Sequence, residues 1–471
     1  MKKLLMTFII TTTFSSFFSF VFAQTFSGGF VSLVICSDQT VKSFGSWRLG
    51  NGTKDVSKVP VKVPGISNTI AVASSYGGEQ LVLLSDGTVM TFMGDKTSLS
   101  PTKVGDKEVL SPIKVSSLTD VKAVARGIHS VVLKKDGTVW CWGYNKDGEL
   151  GRGNNKDSYI PEQVSGLTDV IAISAESYAT LALKSDGTVW SWGRGKEGQL
   201  GNGKNKTSNV PVQVLGLTDV VAIAGGSPNG IAIKKDGTVW IWGWGADGRL
   251  GDGKTKNVNT PIQITSLTDI VAAASGNTHS LFLKKDGTVW ACGNNAKGQL
   301  GDGTTENRGI PVQVKGLTGI IAISCGYDHS MALKNDGTLW GFGNNQWGQI
   351  GIGDTKFSET PVKILDLGNK KNDSNTASEK SFCVPIVLKN TSTGIGSVST
   401  SYLCYYFDVP TTTMSKEEIK EAAIKYLGTM IPMADYTIQE VFFFENNCNE
   451  CKSKINAKYT LSSSQVNRLK L

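Results

Sequence analysis

Three histidines, His129, His279 and His329, are the residues best suited to acid–base or metal chemistry, and each stands seven residues ahead of an aspartate that opens a turn. A catalytic triad or metal cluster needs unlike residues converging on one point. Equivalent positions in a repeating chain are held apart, so these histidines read as structural. Two glycine runs, Gly193-Arg-Gly195-Lys-Glu-Gly198 and Gly243-Trp-Gly245-Ala-Asp-Gly248, match the dinucleotide-binding pattern. That pattern works where a strand enters a helix; here it recurs between strands, and the match is spurious. Asp252-Gly-Lys-Thr-Lys-Asn and Asp302-Gly-Thr-Thr-Glu-Asn are acidic turns without the alternating oxygen ligands of a calcium loop. Cys448 and Cys451 have a zinc or redox spacing, but no second pair and no histidine beyond His329 accompanies them. No catalytic residue, metal or cofactor is expected.

The elements that carry these residues repeat. Asp38, Asp86, Asp136, Asp186, Asp236, Asp286 and Asp336 each follow a strand-like segment and precede another, at intervals of 50 residues after a first interval of 48. Such a period marks a repeat architecture. In one copy four short segments are rich in β-branched or aromatic residues: Pro211–Val214, Val220–Ala224, Ile231–Lys234 and Thr238–Trp242. Asp236-Gly237 is a hairpin signal, and Pro211 suits a strand's first residue, where no ladder donor is needed. Four antiparallel strands repeated seven times predict an all-β fold, a seven-bladed β-propeller. The first hairpin lacks a preceding proline strand and the last proline strand, Pro361–Leu367, lacks a hairpin. The seventh blade is therefore expected to be closed by strands from both ends of the repeat region.

Trp140, Trp190, Trp240, Trp290 and Trp340 share one repeat position, and Trp142, Trp192, Trp242, Cys292 and Phe342 share a second, two residues on. Both lie on one face of a strand, which places them between blades. An aromatic ring so placed buries about 150–250 Å². Strand direction puts the near-identical Leu-Thr-Asp and Lys-Lys-Asp-Gly turns on one face of the disc. The other face carries the loops that differ between repeats, with Tyr144, Tyr178, Trp244, Tyr327, Trp347 and Phe357. Loops on a rigid scaffold are where binding residues sit, so Tyr144, Tyr178, Trp244, Tyr327 and Trp347 are the candidate binding residues.

Lys2 and Lys3, the apolar run from Leu4 to Phe22 and Val21-Phe22-Ala23 read as a signal peptide over residues 1–23. The mature chain is expected to be secreted, at the cell surface or periplasmic, with no membrane span after cleavage. The formal charge of +8 falls to +6 once Lys2 and Lys3 leave, and no basic block suggests nucleic acid. Cys36, Cys141, Cys292 and Cys325 are scattered through strand-like segments and read as small apolar residues. Cys383, Cys404, Cys448 and Cys451 cluster beyond the repeats and are candidate disulfide cysteines, with three connectivities open. Residues 24–367 form the propeller, 368–381 a polar linker, and 382–471 a small α+β domain. Its strands are expected at Phe382–Lys389, Tyr402–Val409 and Asp435–Glu445, with a helix from the capping box at Ser415–Glu418 to about Leu427.

The runs Trp190-Ser-Trp-Gly-Arg-Gly-Lys-Glu-Gly-Gln-Leu-Gly201 and Trp290-Ala-Cys-Gly-Asn-Asn-Ala-Lys-Gly-Gln-Leu-Gly301, with His279-Ser280 and His329-Ser330, resemble the regulator of chromosome condensation repeat family. The resemblance covers Phe26 to Leu367 and itself implies a seven-bladed propeller. The copy around Asp86 departs from it, since Val89-Met-Thr-Phe-Met-Gly94 lacks the tryptophan. The founding member's nucleotide exchange on a nuclear GTPase does not transfer to an exported chain, whereas an exported inhibitor of β-lactamase on a similar propeller shows what such a scaffold serves outside the cell. The expected function is a non-enzymatic interaction propeller engaging an extracellular protein or glycan. The alternatives are an enzyme acting on polysaccharide or peptide through loop carboxylates such as Glu176 or Asp328, and an architectural cell-surface protein.

Overall fold

The computed structural model describes residues 26–46, 49–74, 79–92, 110–225 and 229–367, and the strand backbones at 381–390, 402–410, 436–441, 444–445 and 466–470. The expected signal segment and the expected 415–427 helix lie outside the described residues. The chain divides into two compact units, Met1–Asn369 and Lys370–Leu471. Among the described residues no helix is long and apolar enough to cross a membrane.

The first unit consists of seven four-stranded antiparallel sheets, each built from one contiguous stretch of chain. Blades 1 to 7 span residues 26–62, 69–114, 121–163, 170–213, 220–263, 270–313 and 320–366. In blade 5 the strands run Val220–Gly225, Asn229–Lys234, Val239–Gly243 and Val258–Gln263. The first strand of each blade is innermost and lines the axis. Each hairpin is fixed by its aspartate: Asp236 accepts both the backbone N–H and the hydroxyl of Thr238 at 2.9 and 2.7 Å. Gly237 supplies the φ of +79° that the turn requires. Thr238 in turn accepts the Trp240 indole N–H at 3.2 Å, and Lys234 lies 4.8 Å above that ring.

The expected seven-bladed propeller forms, but its closure differs from the expectation. The proline segments are not first strands. Each is the outer strand of the preceding blade, so Ser208–Gln213 pairs with Val189–Gly193 and Ser358–Asp366 pairs with Thr338–Gly343. Among the described residues no sheet joins the two ends of the repeat region. The physical reason is the proline itself: it lacks an N–H and belongs on an edge strand, where it also blocks pairing with another chain. The ring closes by packing. Phe26, Val34 and Phe44 of blade 1 share a core with Met331 and Leu339 of blade 7, joined by Ile364, Leu365 and Leu367. Gly353 donates its N–H to the Lys58 carbonyl at 2.8 Å, as Gly153, Gly203, Gly253 and Gly303 do to the next blade's outer strand. Removing residues 361–367 is therefore expected to lower the melting temperature by several degrees. Thermal unfolding of that truncation checks it, and an unchanged transition would mean the seam does not depend on this strand.

A second set of bonds crosses five of the seams, from blade 3 round to blade 1. The Glu149 and Gln199 carbonyls accept the indole N–H of Trp192 and Trp242 in the following blade, both at 2.9 Å. Where Cys292, Phe342 and Phe44 replace the indole, a serine hydroxyl takes over. Ser280 donates to Arg249, Ser330 to Gln299 and Ser32 to Gln349, at 3.1, 2.8 and 2.8 Å. The histidines sit on the same seams, as structural residues. His279 Nε2 lies 2.8 Å from Ser330 Oγ, and His329 Nε2 3.2 Å from Ser32 Oγ. Because each hydroxyl gives its proton to a carbonyl, the imidazole must donate from Nε2, and the neutral Nε2–H tautomer follows. His129 Nε2 lies 2.6 Å from the Thr180 hydroxyl on the seam between blades 3 and 4.

The scattered cysteines bear out their apolar reading. Cys141, Cys292 and Cys325 are buried, and with the half-buried Cys36 none forms a disulfide. Burial pushes the Cys141 and Cys292 thiols well up.

The second unit contains one sheet. Ser381–Asn390 pairs with Tyr402–Pro410 on one side and with Tyr436–Val441 and Phe444–Glu445 on the other. Val466–Lys470 adds a parallel strand beside Tyr402–Pro410 that the sequence pattern did not announce. In this register Cys404 faces Val387 and Cys383 faces Asp408. Cys448 and Cys451 lie outside the described residues.

Candidate functional site

Rigid blades present two kinds of face. On one, the hairpin turns repeat with little change and their charges are spent locally. Lys134, Lys234 and Lys284 lie over Trp140, Trp240 and Trp290, and the turn aspartates are held below their ordinary pKa by threonine hydrogen bonds. The opposite face carries the short loops between first and second strands and the long loops between third and fourth, and there the repeats diverge.

The structure sorts the five candidate residues into groups. Tyr144 of blade 3 and Tyr178 of blade 4 meet edge-to-face at 6.4 Å between centroids. Arg194 stacks over Tyr178 at 5.4 Å and is held there by a two-pronged pairing with Glu197 at 2.9 and 3.2 Å. Both tyrosines are half-buried. Burial, with Glu149 and Asp147 nearby, raises the Tyr144 hydroxyl's pKa, so it stays a neutral donor.

Trp244, 40% exposed, lies 4.5 Å over the guanidinium of Arg249. Arg249 is itself buried, bonded to Asp247 at 2.9 Å and to the carbonyls of Ala246 and Asn277. Its charge reaches Asp328 and Tyr327. Asp328 accepts the Thr278 hydroxyl at 2.7 Å, and burial lifts its pKa against the pull of that bond, Arg249 and Lys297. Tyr327 packs on Phe30 at 5.9 Å. Trp347 is half-buried in blade 7, with its backbone N–H bonded to Gln349 at 2.8 Å. Phe357 is exposed with Lys297 above it at 5.7 Å. The side chain of Glu176 lies outside the described residues. Arg308 and the backbone and hydroxyl of Thr304 occupy the oxygens of Asp302, so that acidic turn is built from protein donors.

Sequence reasoning missed Glu149, Arg194 and Arg249. The signal was present for two of them. The Gly-Gln-Leu-Gly run has glutamine at Gln199, Gln299 and Gln349, and Glu149 and Arg249 replace it in blades 3 and 5. Gln199 and Gln299 each accept a backbone N–H and donate from their amide. Glu149 accepts the Asp147 N–H at 2.9 Å, but its fully buried Oε1 has no partner among the described residues. Burial pushes its pKa up to about 7. A carboxyl whose folded pKa is raised costs stability as pH climbs from about 4.5 through 7. Glu149→Gln is therefore expected to stabilise the protein at pH 8 by about 2–3 kcal/mol and to change little at pH 5. Urea unfolding at the two pH values checks this.

The sequence model of the RCC1-like domain matches residues 93–400, well over half of the chain. Human E3 ubiquitin-protein ligase HERC2 is 30% identical over 147 residues, covering 30% of this chain and 3% of that protein. The chain therefore spans a small part of the curated relative. Among solved structures, human WBSCR16 is 26% identical with a TM-score of 0.59, covering 66% of this chain and 85% of its own. Yeast RCC1 (Prp20), solved bound to Kap60, is 21% identical with a TM-score of 0.64, covering 79% and 92%.

Proposed function

This chain belongs to the RCC1-like domain family, and from that premise we propose that it is an exported interaction module which binds an extracellular protein or glycan through the variable face of its propeller. One observation carries the reading: partly exposed aromatic rings braced by arginines, Tyr178 on Arg194 and Trp244 on Arg249, sit on the face where the repeats diverge. Aromatic rings and arginines held by a fixed frame are the residues that supply most binding energy at interfaces. Pre-placed rings also lose little rotamer freedom on binding. Yeast Prp20p, on the same fold, was studied for binding to Gsp1p and histones, which supports a protein-binding use of the scaffold. The net positive charge is moderate and not gathered into a block, so a nucleic-acid partner is not part of this reading.

The test is capture from the native extracellular fluid by the mature chain, with a glycan array in parallel, comparing wild type with Tyr178→Ala/Trp244→Ala. Both rings are partly exposed and outside the buried cores between blades, Tyr178 touching Tyr144 across the neighbouring seam, so the double variant should keep most of its melting temperature while losing affinity by about tenfold or more. Equal affinity in both proteins would remove this face from the binding surface.

A further inference from the structure

The axis of the propeller is a cavity of about 250 Å³ lined by the inner strands of the blades, much larger than one water's share of about 30 Å³. Inner strands pair on one side only, so their free edges turn backbone donors and acceptors toward the axis. Among the described residues one cation lines this space: Arg126, the last residue of the inner strand of blade 3, at the variable-face end. The positions paired with the residues equivalent to Ser130 hold Ala175, Gly225, Ser275 and Cys325, so among these blades the arginine is peculiar to blade 3.

Arg126 is unusual in how it is satisfied. Its side chain is 2% exposed. Nε donates to the Glu79 carbonyl at 3.3 Å, and Nη2 lies 3.4 Å from the Glu79 carboxylate. That carboxylate also accepts the hydroxyls of Thr91 at 2.9 Å and Ser130 at 3.1 Å, so its charge is shared among three donors. Nη1 has no partner among the described residues, although it carries two N–H groups that are costly to bury unmet. The guanidinium's field is felt next door, where it adds to the depression of the His129 pKa. Ser27 and Ser74, bonded to each other at 3.1 Å, face the same cavity.

We propose that the axial cavity is a binding site for a small oxyanion, a carboxylate or phosphate group accepting from Arg126 Nη1. The site is separate from the aromatic groups on the variable face, and it stands whether or not those bind a partner. It is tested on the full mature chain by titrating sodium acetate and sodium phosphate against sodium chloride at matched ionic strength. The expected result is a saturable rise in melting temperature of a few degrees with one of the oxyanions, absent with chloride. The His129 imidazole resonances should move with the same midpoint, while those of His279 and His329 stay fixed. The saturable response should be lost in Arg126→Gln/Glu79→Gln, which removes both charges together. If that variant does not fold, the wild-type resonances still decide. Saturation by either anion supports the site and identifies its chemistry. Responses that match chloride, or a His129 that does not move, would overturn it and leave the cavity holding water only.

Discussion

Taking the protein from pH 7.5 to pH 5 is expected to weaken it by several kcal/mol, because three buried histidines must stay neutral for the blades to pack. Burial lowers the pKa of His129 and His279 to about 3 and of His329 to about 4. In the unfolded chain each returns to about 6.5. Above 6.5 both states are neutral and nothing is lost. Below it the unfolded state takes protons that the folded state refuses, so stability falls with pH until the folded histidines titrate near 3–4. At pH 5 each costs about 2 kcal/mol. Glu149 acts in the opposite sense, gaining about 2–3 kcal/mol over the same interval as its raised pKa is passed. Three against one leaves a net loss of about 3–4 kcal/mol, large beside a total of about 5–15. The turn aspartates, with lowered pKa values, contribute stability that is fully present above their ordinary range and is lost only below it, outside this interval. Urea unfolding between pH 8 and 4 should show the decline beginning near 6.5. A decline beginning only below 4 would mean the seam histidines are not held neutral.

Trp242→Ala should be the most damaging single change, at about 3–5 kcal/mol. The ring is fully buried among Leu181, Leu183 and Val189 of blade 4 and Val220 and Ala232 of its own blade. Its indole also satisfies the Gln199 carbonyl. A sharper test lies in the exchange of donors between blades. A Cβ on Gly230 would sit 2.4 Å from the Trp242 ring, so Gly230→Ser alone should destabilise by about 1–3 kcal/mol through overpacking. Trp242→Phe alone strands the carbonyl, at about 1–3 kcal/mol. Together they reproduce the Phe342 and Ser330 arrangement of blade 7, and the double variant should be far more stable than the two losses added. Strict additivity in that double-mutant cycle would contradict the exchange.

The blades were legible because each is written locally: an aspartate turn, a threonine two residues on, and tryptophans at alternate positions. What sequence could not assign was the sheet to which the proline strands belong. Each is separated from both neighbouring strands by a connection, and the short Leu-Thr-Asp link looks like a hairpin although it steps between blades. The edge-strand preference of proline pointed the right way but was applied to the wrong end of the blade. The seam partners were invisible for a different reason, since His129 and Thr180, or His279 and Ser330, lie 51 residues apart. On the candidate face the aromatic residues were readable as departures from the repeat. Their grouping was not, because Tyr144 and Tyr178 come from different blades and Trp244 is braced by an arginine that reads as a broken glutamine position.

Under the proposed function the variable face, and not the turn face or the second unit, engages the partner. Hydrogen exchange of the full mature chain, alone and with its captured ligand, measures this directly. Protection concentrated in the loops at 144–157, 177–179 and 243–257 is the predicted result. Protection confined to the Asp-Gly turns, or to strands beyond residue 380, would contradict it.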